Sequence, residues 1–343
     1  MKAIVLLAAS TLALAACGQQ SAGSAADASG GQVWAAGSST VFPFATRVAE
    51  TVSRTSGGPA PKVESLGTGG GFKMFCSSAG ADAPDIANAS RAMKKSEWDA
   101  CQAAGVTGIV EIKIGYDGIV VANDKSGATY DLTREELFKA LNTGSTAKTW
   151  RDVDASLPAE RIQVYGPPPT SGTRDAFVEL ALEAGAKKDA TLSALAKSDE
   201  KAFKARVHPV RTDGAWIDSG ENDNAIVQTL AKTPGAVGVF GYSFLDNNMD
   251  TVKPASIEGV APSIATISDG SYPLSRSLFI YVKKSSMEQK PAVKAFVDAF
   301  VSDAASGRGG YLQSRGLIPL PEAERTAQKT AAGRMTSMAA PAS

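Results

Sequence analysis

Four short stretches place hydroxyls, glycines and arginines just ahead of helical patterns, where a chain is equipped to grip an anion. In "GPPPTSGTRDAF" (166–177), three prolines stiffen the approach to Ser171, Gly172, Thr173 and Arg174. Phe177, Leu180, Ala181 and Ala184 then recur at the spacing of a helix with one buried face. "QVWAAGSST" ends in Ser39 and Thr40, "KVESLGTGGGF" carries Thr68, and "DIANASR" ends in Ser90 and Arg91. A helix start presents unpaired backbone N–H groups and the positive end of the peptide dipole. Hydroxyls and glycines add donors and let the backbone approach a ligand closely. One such turn is an ordinary cap. Four, two of them followed by arginine, make a set suited to an oxyanion, provided that they gather at the carboxyl ends of their strands.

The elements needed to gather them are visible as alternating short apolar runs and helical patterns, an α/β signature. Phe44, Val48 and Val52 continue at helical spacing behind Pro43, and a turn over Gly67–Gly71 is expected to lead into a helix through Phe72 and Phe75. After Arg91 a helix is expected to be capped by Ser96, with Asp99 three residues on. "EIKIGYDGIVVAN" and "SRSLFIYVKK" read as further strands. "LTREELFKALNTGSTAKTWRDV" and "AIVQTLAKTPGAVGVFGYSFL" each read as a helix followed by a turn or strand.

Length and composition bound the function. Of 343 residues, 1–17 carry Lys2, an apolar run from Ile4 to Leu14 and small residues, the order of a secretory signal. Leu14-Ala15-Ala16-Cys17 resembles a bacterial lipobox; the alternatives are lipidation at Cys17 or ordinary cleavage with Cys17 incidental. Residues 18–31 read as a flexible tether and 321–343 as a frayed, disordered tail. What remains suffices for two domains, 32–114 plus 276–320 and 115–275. Net charge is zero with basic residues scattered, which argues against nucleic acid. Cys76 and Cys101 are an even pair in an exported chain, so they form either a disulfide or two buried thiols. His208 is the single histidine and no convincing serine elbow accompanies it, which argues against a Ser-His-Asp hydrolase; one histidine also leaves no zinc set, and a turn or packing role is expected for it. "DSGENDN" (218–224) lacks the order of a calcium loop and reads as a solvated loop capping the next helix.

Taken in order, "AGSSTVFPF", "GTGGGFK", "DIANASRAMK", "TSGTRDAF" and "TPGAVGVFGY" resemble the phosphate-binding protein of bacterial Pst-type ABC transporters, from about Val33 to Pro319. The resemblance implies a two-domain periplasmic-binding-protein fold of type II, a "Venus flytrap" with two crossover strands and the anion held in the cleft. It implies no cofactor and no catalysis, with delivery of phosphate to a membrane permease by a monomer that meets the membrane only through its lipid anchor. By position, Ser39, Thr40, Thr68, Ser90, Ser171, Gly172 and Thr173 fall on the family's phosphate loops. Two departures stand out. Arg91 occupies the place of an aspartate, and Pro167–Pro169 occupy the place of an arginine. Arg91 and Arg174 supply guanidinium groups instead, as in a Ser-Arg/Ser-Gly-Thr-Arg branch of the family. Asp117, mid-strand in a crossover segment, is then the carboxylate that accepts the phosphate proton and rejects sulfate. Its alternatives are an ion pair with Arg91 or Arg174, or a turn cap with Gly118. Other readings are a binding protein for sulfate or another tetrahedral oxyanion, an exported phosphatase using Ser171, and an adhesin that has lost the ligand.

Overall fold

Short β-branched and alanine-rich runs supply the strands. The computed structural model describes residues 31–56, 58–220 and 222–342; the expected signal, Cys17 and most of the tether lie outside them. Eleven strands occur among these residues: β1 (Trp34–Gly37), β2 (Lys62–Ser65), β3 (Ile86–Ala89), β4 (Ile109–Asp124), β5 (Asp131–Leu132), β6 (Val164–Gly166), β7 (Trp216–Asp218), β8 (Val237–Gly241), β9 (Val252–Pro254), β10 (Ser256–Ile257) and β11 (Ser275–Lys283). Nine of them form one sheet in the order β2-β1-β3-β11-β4-β8-β6-β7, with β9 also on β4, while β5 and β10 pair separately. Strands β2, β1 and β3 are mutually parallel, as are β8, β6 and β7. Between these two groups run the antiparallel β11 and β4.

Strand β4 therefore serves two lobes. Its first half lies between β11 and the core formed by residues such as Val33, Val48, Ile86, Ile114 and Phe296. From Ile119 it pairs with β8, within a second core containing Val121, Trp150, Phe177, Ile226 and Phe240. Two main apolar cores joined by two shared strands are an arrangement in which one lobe can turn against the other.

The helices that follow the strands carry the loops. Helix α1 (Phe42–Ser56) has Pro43 in its first turn, where the missing N–H costs nothing, and buries Phe44, Val48 and Val52. Helix α2 (Gly67–Phe75) corrects the expected glycine turn: the helix starts at Gly67. Its glycines are needed because α2 lies against β1; a Cβ on Gly71 would sit 2.4 Å from the Gly37 Cα. Helix α3 (Lys95–Ala103) starts earlier than expected, with Lys94 rather than Ser96 at the N-cap and Glu97 accepting from the Lys94 N–H at 2.8 Å. A disulfide joins Cys76, at the end of α2, to Cys101 of α3. On the chain-entropy estimate it stabilises by about 3.5 kcal/mol. Helix α4 (Arg134–Leu141) is capped by Thr133, and α5 (Gly172–Phe177) continues through a π-helical turn over Val178–Glu183.

The expected frayed tail is also corrected. Glu322–Arg334 form a helix that packs on β4. Glu324 pairs with Lys113 Nζ at 2.9 Å and accepts from the Tyr116 hydroxyl at 2.8 Å, while Gln328 accepts from the Lys113 backbone at 3.0 Å. Beside these polar contacts the helix buries Ala332 in the first core.

Candidate functional site: an interlobe cleft

Each parallel strand ends at the cleft side of its lobe. After β1, Ser38 turns into the protein, its Oγ accepting from the Val41 N–H at 3.4 Å. Ser39 and Thr40 line a cavity of about 450 Å³, facing Asp117, Ser171, Gly172 and Thr173. Ser171 is the N-cap of α5, its Oγ accepting from the Thr173 N–H at 3.3 Å. The two loops touch across the cleft. Thr40 Oγ1 donates to the Gly172 carbonyl at 3.3 Å, and Ser39 Oγ donates to Asp175 Oδ2 at 2.5 Å. No side chain fits at residue 172, since a Cβ there would lie 2.7 Å from the Ser39 carbonyl oxygen.

Two cations that the sequence reading does not single out stand here: Arg315, which lines the cavity, and Arg276, which donates to Thr40 in its wall. Arg276, at the start of β11, stands directly opposite Asp117 in the antiparallel register with β4. Its Nε donates to Asp117 Oδ2 at 3.3 Å, its Nη1 to Glu179 Oε2 at 2.6 Å, and its Nη2 to the Thr40 hydroxyl. The expected partners of Asp117 were Arg91 or Arg174; the structure supplies Arg276 instead, because the neighbouring strand delivers it. Burial pushes the Asp117 carboxyl above its usual range, although Arg276 pulls it down. The signal available in the sequence was Asp117 itself, since a charged residue inside an apolar strand requires a partner on an adjacent strand.

The other expected residues divide into two groups. Thr68 and Ser90 meet, with Oγ1 and Oγ 3.0 Å apart and the Ser90 N–H donating to Thr68 Oγ1 at 3.1 Å. Arg91 is held by Glu97 through two hydrogen bonds of 2.9 and 2.7 Å and lies over the Phe72 ring. These bonds to Glu97 raise its pKa, against the effect of burial. Arg174 points away from the cleft cavity. Its guanidinium lies 4.1 Å from the Trp216 ring centroid and donates to the Pro167 carbonyl at 3.2 Å and to Asp218 at 3.4 Å. It lines a neighbouring cavity of about 500 Å³ together with His208 and Arg211. Burial lowers its pKa, against the pull of Asp218. His208 pairs with Glu183 at 2.7 Å.

A further missed residue is Asp223. Asn222 caps the helix Asp223–Leu230, in keeping with a capping loop, but Asp223 is buried in the cleft wall, where its Oδ2 accepts from the Gly241 N–H at 3.1 Å. Among the described residues no group of three or more His, Cys, Asp or Glu side chains could hold a metal ion. No helix among them is long and apolar enough to cross a membrane.

A PBP superfamily domain profile matches residues 22–304. SphX of Synechococcus elongatus is 33% identical over 304 residues, spanning 86% of this chain and 79% of that protein. The phosphate-binding protein PstS of Staphylococcus saprophyticus is 30% identical over 326 residues, spanning 93% of this chain and 90% of PstS. The crystal structure of a possible phosphate-binding protein from Planctomyces limnophilus superposes with a TM-score of 0.73 at 29% identity, covering 90% of this chain and 99% of that one. With its paired lobes, its crossover strands and the loops that meet between them, the chain belongs to the PBP superfamily, as a relative of SphX and PstS.

Proposed function

We propose that the cleft binds inorganic phosphate and that the protein delivers it to the permease of an ABC transporter. The observation that carries this reading is the meeting of Ser39 and Thr40 with the Ser171–Thr173 helix start at one cavity, with Arg276 donating to the Thr40 hydroxyl. Hydroxyls and helix N–H groups supply neutral donors, and the guanidinium supplies formal positive charge in a planar fork that suits a tetrahedral oxyanion. Thr68, Ser90 and Arg91, on the neighbouring loops of the first lobe, are proposed to join the set when the anion binds, whereas Arg174, committed to Trp216 and Asp218, is left out of it. The relatives named phosphate-binding protein support the same ligand. Asp117 is proposed to accept the phosphate proton, which sulfate lacks. Anion bridging of both lobes favours the closed form, and the closed form docks on the permease. Export through residues 1–17 with lipidation at Cys17, and action as a monomer, belong to this reading.

Titration calorimetry with phosphate and with sulfate between pH 6 and 8 tests it. Phosphate is expected to bind and sulfate to bind far more weakly. Equal affinity for the two would make the cleft a general oxyanion site.

A further inference from the structure

We infer that Glu179, assisted by Asp175, is an intramolecular competitor for the anion and so sets the affinity of the cleft; this rests on the phosphate reading above and deepens it. The two carboxylates are four residues apart on one helical run, a spacing that places side chains on the same face. Both reach across the cleft. Asp175 Oδ2 accepts a hydrogen bond from the Ser39 hydroxyl at 2.5 Å, and Glu179 Oε2 accepts one from Arg276 Nη1 at 2.6 Å. Ser39 and Arg276 are donors that an oxyanion in the cleft would use, so each carboxylate stands where an oxyanion oxygen would. The field of Glu179 also reaches Arg91 on the third loop, after its nearer partner Glu97.

Of the two carboxylates on Arg276, only one is free to leave. The Asp117 side chain is 11% exposed and fixed opposite Arg276 by strand register, whereas that of Glu179 is 46% exposed. Returning Glu179 to water costs little, while stranding the buried Asp117 without its partner costs far more. An incoming anion therefore displaces Glu179 and leaves Asp117 in place. Each binding event breaks the Glu179–Arg276 pair, and the affinity falls below what the donors alone would give.

Calorimetric titration of the full chain with inorganic phosphate, in the unsubstituted protein and in Glu179→Gln, tests this. Glu179→Gln should bind phosphate about two- to fivefold more tightly, the worth of one partly exposed ion pair. Asp175→Asn should shift affinity in the same direction. Unchanged or weaker phosphate affinity in Glu179→Gln, with the unsubstituted protein binding, overturns the inference and leaves the phosphate reading standing. No phosphate binding by the unsubstituted protein overturns both.

Discussion

Arg276 and Arg174 make opposite predictions. Arg276 donates to Thr40 in the cleft wall and is paired on both sides, so Arg276→Ala should weaken phosphate binding at least tenfold, from a loss of about 1.5–3 kcal/mol for a charged donor. Arg174 is committed to Trp216 and Asp218, so Arg174→Ala should weaken it by no more than about threefold on the same titration. Gly172→Ala brings a methyl against the Ser39 carbonyl and should lower affinity about tenfold, while spectroscopic melting shows the fold retained. The identity of the donor loops was legible because each combines hydroxyls or glycines with a following helical pattern. The direction of Arg174 was not. Successive helical residues diverge by about 100°, so Thr173 lines the cleft while Arg174 turns to Asp218 of β7. Arg276 was overlooked because "SRSLFIYV" reads as an ordinary buried strand, and its role depends on a partner far away in sequence.

At the scale of elements, β11 carries charge at both ends. Its last residue, Lys283, is buried over the Phe75 ring and donates to the Ser78 carbonyl at 2.5 Å. Burial brings its pKa down to about 8. The unfolded chain therefore holds this proton up to a higher pH than the folded chain does. Folding stability gains from Lys283 as pH rises from about 8 towards the ordinary lysine range near 10.4. Urea denaturation at pH 7.5 and 9.5 should show the unsubstituted protein gaining stability relative to Lys283→Met across that interval. Strand and helix identities were largely legible from apolar periodicity. The start of α2 was not, because a run of glycines looks like a turn until β1 is seen packed against it. Nor was the helix Glu322–Arg334, whose partners Lys113 and Tyr116 lie on a strand some two hundred residues earlier.

At the scale of the molecule, that last helix holds the first half of β4, one of the two strands about which the lobes would turn. Glu324→Gln should cost roughly 1 kcal/mol and lower the melting temperature by about 2–4 °C, measured by calorimetric scanning. The overall topology was legible through resemblance; the pairing of β4 with β11 was not, because register is a tertiary property. That register has a kinetic consequence. Arg276 and Asp117 face each other on the two strands shared by the lobes, so the guanidinium sits at the pivot. As the lobes swing, a charge at the pivot moves little. With Asp117 fixed beside it and Glu179 drawn off as the lobes part, the open cleft presents the less screened guanidinium to an arriving phosphate, so its capture rate should fall as ionic strength rises. Escape, which requires the loops at Ser39 and Ser171 to part, is then the step that hinge motion governs.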